Sequence, residues 1–96
     1  MAILTLQEAE DALRIDSGDN DTIVQALIDS LPDYLQATTG STWEDNTATG
    51  YQLAKTCAKF IIKLWYNDDI ADADKFQTII DGMLGTLSVI ARNSNV

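Results

Sequence analysis

The stretch Tyr51–Tyr66, YQLAKTCAKFIIKLWY, constrains the fold more than any other part of the chain. At 100° per residue, its apolar side chains from Leu53 and Phe60 round to Ile62 fill roughly 200° of a helix circumference. The remaining strip carries Lys55, Lys59 and Lys63 at i, i+4 and i+8, with Gln52 and Thr56 beside them. A surface helix needs an apolar stripe only a little over 100° wide. A helix this apolar must be covered on several sides, so it is the central post of a bundle or part of an oligomer interface. The lysine strip marks where the cover stops.

Other segments supply the cover. Thr5 and Glu8 have the spacing of a capping box, which starts a short helix from about Leu6 to Leu13. The run Asp16-Ser17-Gly18-Asp19-Asn20-Asp21 breaks that helix with turn formers and provides the next N-cap. Its acids do not fit a calcium loop. Asp21 stands sixth, where an EF-hand needs Gly, and Leu27 stands twelfth, where it needs Glu.

A second helix is predicted from about Asp21 to Thr39, with Ile23, Val24, Leu27, Ile28, Leu31, Tyr34 and Leu35 within roughly 140° of arc. Asp29 and Asp33 lie on its polar side. Pro32 removes one backbone bond, for which a bend is expected rather than a break. Gly40 supplies the left-handed residue that ends the helix.

The loop 40–50 is small and polar around Trp43, which either tucks over a helix end or serves as an exposed partner contact. The central helix follows, capped near Thr47 or Thr49. An acidic connector, Asn67 to Asp74, leads to a last helix from about Asp72 to Ala91, whose face holds Phe76, Ile79, Ile80, Met83, Leu84, Leu87 and Ile90. Gly82 and Gly85 lie on its other side; they imply a close backbone approach, or a helix meant to bend or fray. Strand-like alternation is confined to Ala2–Leu6, too short for a sheet. The expected fold is all-α: residues 1–96 form a single domain, a small four-helix bundle with a central hydrophobic helix. Leu27, Leu31, Phe60, Ile61, Leu64 and Ile80 lie at the middle of their apolar arcs and are the expected core.

Fifteen acidic residues against six basic give a net charge of −9. Such a surface repels nucleic-acid phosphate and anionic membrane. No stretch approaches the ~18 apolar residues of a membrane span, and the N-terminus lacks the basic start of a signal peptide. Cys57, the one cysteine, sits in the apolar arc and reads as a small buried hydrophobe. Histidine is absent, which removes the commonest general base and metal ligand. No phosphate loop, metal-ligand set or paired nucleophile and base is present. The expectation is therefore a non-enzyme with no cofactor and no metal.

Several residues in order carry a family likeness: Thr5-Leu6-Gln7-Glu8-Ala9, Leu13-Arg14-Ile15-Asp16, an acidic turn, Tyr34-Leu35 with Thr39-Gly40, and Leu64-Trp65-Tyr66-Asn67 closing the central helix. With Leu84, Leu87 and Arg92 in the last helix, the chain resembles phage head–tail connector (adaptor) proteins of the HK97 and SPP1 type. Two features depart from that pattern: Asp68-Asp69 stand where the family often has a basic residue, and no Pro precedes the fourth helix. The resemblance implies a small helical bundle forming a homo-oligomeric ring, usually dodecameric, beneath the portal protein of a tailed-phage head. The ring extends the DNA channel without specific DNA binding and receives the next head-completion or tail-joining protein. It further implies a phage or prophage origin, a place in the virion at the head–tail junction, and assembly in the bacterial host cytoplasm.

Charge patterning suggests where copies would meet. Lys55, Lys59 and Lys63 form the candidate basic side of a subunit interface, and Asp29 and Asp33 the acidic side. The plainer reading is that the lysines pair with acids of their own subunit or simply solvate the helix. The rival functional class is an acidic protein-interaction module or DNA mimic that inhibits a nucleic-acid-binding protein; a monomeric bundle of housekeeping function is a third.

Overall fold

A computed structural model describes residues 3–15, 20–66 and 73–94. It contains four helices, α1 (Leu6–Leu13), α2 (Asp21–Thr39), α3 (Tyr51–Tyr66) and α4 (Ala73–Ser94), and no strand among the described residues. The fold is thus the small all-α bundle expected. The acids at 16–19 and the connector at 67–72 lie outside the described residues.

Each boundary has a local cause. The Thr5 hydroxyl accepts from the Glu8 amide at 3.1 Å while the Glu8 carboxylate accepts from the Thr5 amide at 2.9 Å, closing the capping box that starts α1. The preceding Leu4 and the fourth helical residue Ala9 occupy the staple positions, and both are buried. Arg14, left-handed at φ 60°, ends α1. Asn20 starts α2 without a side-chain cap. Its amide instead donates to the Tyr66 hydroxyl at 2.7 Å, tying the start of α2 to the end of α3. Pro32 lies inside a helix that runs unbroken to Thr39, and Gly40 at φ 95° terminates it. α3 begins after Gly50 rather than near Thr47 or Thr49, since Thr47 bonds the Asp45 carboxylate in the turn before it. α4 runs three residues past the expected end at Ala91.

α3 packs against each of the other helices, as its wide apolar arc requires, and α2 also packs against α1 and α4. α1 and α4 do not meet among the described residues. They flank the α2–α3 pair and leave a trough over the outer side of α3. The buried apolar positions of α2 are Val24, Ile28, Leu31 and Leu35, with Thr39 buried at its end; those of α4 are Ile80, Leu84, Leu87 and Ala91. Both sets follow i, i+4, i+7, i+11, a single straight seam. α3 instead buries Ala54, Cys57, Ala58, Ile61 and Ile62, a wider surface set by its three neighbours. Tyr34 and Trp65 meet edge to face at 5.2 Å between α2 and α3, and Phe60 and Phe76 meet at 5.8 Å between α3 and α4.

Of the six expected core residues, Leu31, Ile61 and Ile80 are buried, whereas Leu27, Phe60 and Leu64 are only partly buried and pack on the rim of the core. Ile23 and Ile79, assigned to apolar faces, are exposed, 55% and 37% respectively. The reason is the narrow seam: both residues lie about 110° from its centre, beyond the reach of the neighbouring helix. Conversely, Ile3 and Leu4, which carry no helical signal, are fully buried and complete the core beside α1. The close backbone approach offered for Gly82 and Gly85 does not occur within the chain: a Cβ added at either position meets nothing within 4 Å.

Candidate functional site

Trp43 is not available to a partner. Its ring is 3% exposed and belongs to the core cluster. The indole N–H donates to the Thr39 hydroxyl at 2.8 Å, and that hydroxyl donates in turn to the Leu35 carbonyl at 2.7 Å. The backbone takes the left-handed conformation at Trp43 (φ 58°) to turn the ring inward. Such a conformation costs about 1–2 kcal/mol for a residue with a Cβ, and burial of the ring offsets it. Gly50 completes the cover. At φ 90° it passes so close that a Cβ there would lie 3.2 Å from both the Trp43 ring and Ile90.

Cys57 is buried, and burial pushes its thiol up to about 11, so it is protonated and inert at neutral pH. Among the described residues no group of three or more Cys, Asp or Glu could hold a metal ion. No described helix is long and apolar enough to cross a membrane.

What remains is the lysine strip along the trough between α1 and α4. Its members behave differently because the trough walls differ. Lys55 turns to α1 and pairs with the Glu8 carboxylate at 2.6 Å, with its ammonium 5.7 Å from the Tyr51 ring centre. Burial pulls the Glu8 carboxyl up, but the Lys55 ammonium and the Thr5 amide outweigh it and hold it below the usual carboxylate range. The Glu8 partner raises Lys55 above the usual lysine value. Lys55 thus pairs with an acid of its own subunit. Lys63 leans the other way, over the Phe76 ring of α4 at 5.7 Å. Lys59, between them, has no ion-pair partner among the described residues.

Lys59 and Lys63 rim a pocket of about 210 Å³, floored by Phe60 and closed by Thr56 and by Ala12 of α1. A second feature lies on the other flank of α1. Leu6, Asp21, Thr22, Gln25, Ala26 and Asp29 line a broad open groove of about 510 Å³. Asp29 and Asp33 are both exposed on α2, and the Gln25 amide steadies the Asp29 carboxylate at 2.9 Å. Asp33 lies beyond the groove on the same outer face. The two sides assigned from charge patterning thus occupy different surfaces, a basic pocket with an aromatic floor and an acidic face, with α1 between them. Sequence reasoning found the lysine line but not the pocket, because Ala12 is brought to it only by the α1–α3 contact. Ile23 was missed as a surface residue for the reason given above.

No protein family, curated protein or solved structure matches this chain.

Proposed function

We propose that this protein is a structural assembly subunit, a head–tail connector of a tailed phage or prophage that forms a ring beneath the portal and receives the next head-completion or tail-joining protein. The observation that carries the reading is the placement of Lys59 and Lys63 on one surface of a small helical domain and of Asp29 and Asp33 on another. A patch that complements a different patch on the next copy makes a head-to-tail contact, and such contacts close into rings when the rotation permits.

Three further features support it. The residues quoted above as family-like hold structural positions: Thr5 and Glu8 close a cap, Tyr34 and Trp65 meet edge to face, and Gly40 ends a helix. A charge of −9 per subunit, multiplied around a ring, lets DNA pass without adhering. The described exposed acids Asp11, Asp29 and Asp81 accept from neighbouring glutamine amides, which do not prepare them for acid–base chemistry. In this reading the protein is not an enzyme, needs no cofactor and resides at the head–tail junction of the virion.

Deletion of the gene from the phage or prophage tests this. Electron microscopy of the lysate should show DNA-filled heads and separate tails, with tailed particles restored by the gene supplied in trans. Normal tailed virions in the deletion strain would refute it, as would a gene neighbourhood without portal and capsid genes.

A further inference from the structure

Helix α4 carries two seams. Ile80, Leu84, Leu87 and Ala91 form the buried one. Ile79, Gly82, Thr86 and Val89 form the other, at spacings of three, four and three residues, about 150° around the helix from the first. All four are exposed, and a Cβ added at Gly82 meets nothing within 4 Å. Of the three exposed large apolar residues among those described, two, Ile79 and Val89, are the ends of this seam. Between them the Thr86 hydroxyl donates to the Gly82 carbonyl at 3.2 Å, so it can be covered without losing a bond. Alternating steps of three and four are the spacing of a helix face that packs on a second helix. Gly82 and Thr86 at the middle let two backbones approach to about 8 Å.

Charge indicates what covers the seam. α2 carries Asp21, Asp29 and Asp33 and no base, and α3 carries three lysines and no acid. Two copies meeting by either of those helices oppose like charges. α4 is balanced, with Asp74 and Asp81 against Lys75 and Arg92, and no member of the seam is charged. Asp74 and Arg92 stand about five full turns apart, so they project from the same flank of the helix. Two α4 helices laid antiparallel about a twofold axis level with Leu84 set Ile79 on Val89, and Gly82 on Thr86, of the other copy. Arg92 then lies about 3 Å along the axis from Asp74 of the other copy, and the symmetry repeats that pair at the far end. Laid parallel, the same helices oppose Asp74 to Asp74 and Arg92 to Arg92. The charges therefore complement a second copy in one orientation only.

We propose that the outer seam of α4 is a dimerisation surface, on which two copies pack antiparallel with Ile79 against Val89, Gly82 against Thr86 and Arg92 paired with Asp74. The contact is isologous and closes at two copies. It uses none of Lys59, Lys63, Asp29 or Asp33, so it is separate from a head-to-tail contact and does not rest on the connector reading. Burial of the apolar ends supplies most of the affinity, and the charge pairs set direction.

The test uses the full chain in sedimentation velocity and native mass spectrometry, with circular dichroism to verify that each variant is folded. The wild type should pass from monomer to dimer as concentration rises to about 1 mM. Gly82→Glu puts a long charged side chain into open space on the monomer but between two backbones in the dimer. It should keep the fold and raise the apparent dissociation constant at least about tenfold. Arg92→Asp and Asp74→Arg should each weaken association roughly twofold to tenfold, and the two combined in one chain should restore it. Direction is read by oxidative cross-linking of Ile79→Cys mixed with Val89→Cys, which should give a disulfide-linked heterodimer. Either variant alone should stay largely unlinked, because its two thiols lie about 15 Å apart along the axis. Cys57 is buried and does not compete.

The proposal is overturned if the wild type stays monomeric to about 1 mM, which would leave the seam to a different protein. It is overturned equally if Gly82→Glu associates like the wild type, if the charge swap restores nothing, or if the mixture cross-links no more than either variant alone. The two readings fail separately. Higher oligomers that survive Gly82→Glu, with tailless particles on gene deletion, would discard this dimer and keep the connector reading. The heterodimer cross-link together with normal virions on deletion would do the reverse.

Discussion

Of the two placements expected for Trp43, tucked over a helix end or open to a partner, the buried one is observed, and its replacement has a calculable cost. A tryptophan buries roughly 200 Å², worth about 5 kcal/mol at ~25 cal/mol per Å². Compactness of the unfolded chain reduces this by 10–40%, to about 3–4.5 kcal/mol. Trp43→Ala should therefore cost about 3–4 kcal/mol, within the usual range for truncating a buried aromatic. A domain of 96 residues has roughly 5–14 kcal/mol in all, so the variant should be folded but fragile. Alanine inherits the left-handed backbone, whereas glycine does not resist it. Trp43→Gly should accordingly be more stable than Trp43→Ala by about 1 kcal/mol, the reverse of the order in a helix. Urea unfolding followed at 222 nm reads both shifts. A double-mutant cycle with Trp43→Phe and Thr39→Val should return a coupling of about 1 kcal/mol for the indole–hydroxyl bond. A cost below about 1 kcal/mol for Trp43→Ala, or glycine less stable than alanine, would refute the inward ring and return Trp43 to the surface.

The glycines provide an opposed pair of outcomes in thermal melts. Gly82→Ala and Gly85→Ala should each stabilise by up to about 1 kcal/mol, since each adds a helix-favouring Cβ into open space; Gly50→Ala should destabilise by more than about 1 kcal/mol through both its positive φ and the 3.2 Å approaches. Phe60→Ala should cost about 2 kcal/mol, less than the ~3–5 of a fully buried ring, because Phe60 also floors an open pocket; urea unfolding checks it. The Lys55–Glu8 pair should be worth at most about 1 kcal/mol at neutral pH. Glu8 is depressed, so its contribution is present above its unfolded value and lost as pH falls through the lower folded one; Lys55 is raised, so its share is lost as pH climbs through the raised value. Wild type and Lys55→Met should then converge in stability at both extremes, as read by Tm against pH.

Much of the fold is legible because its signals are local. The Thr5–Glu8 box, the Gly40 stop and the 3.6-residue periodicity of α2 and α4 each depend on residues within a few positions of one another. What escaped depends on packing. An apolar arc of about 140° states which residues could be buried, whereas the neighbour's contact line decides which are. In α2 and α4 alike that line takes one seam, and Ile23 and Ile79 fall outside it at equivalent positions, each one residue before the first buried one. Ile3 and Leu4 escaped for the opposite reason: two residues outside any helix have no period to detect, although Leu4 holds the staple position ahead of α1.

The candidate site was half legible on the same grounds. The line Lys55, Lys59, Lys63 follows from spacing alone, but spacing treats the three as equivalent. Tertiary neighbours divide them, because Lys55 meets an acid on α1, Lys63 meets an aromatic ring on α4, and Lys59 lines the pocket beside Ala12. The trough that holds the strip exists because α1 and α4 both pack on α3 without meeting among the described residues. α1 is eight residues long and reaches the pocket through Ala12 near its end. Lengthening α1 at its C-terminus would carry it further along the trough beyond Ala12 and narrow the pocket over Phe60. The brevity of α1, set by the cap at Thr5 and the left-handed residue at Arg14, therefore bears directly on the shape of the pocket that Lys59 and Lys63 line.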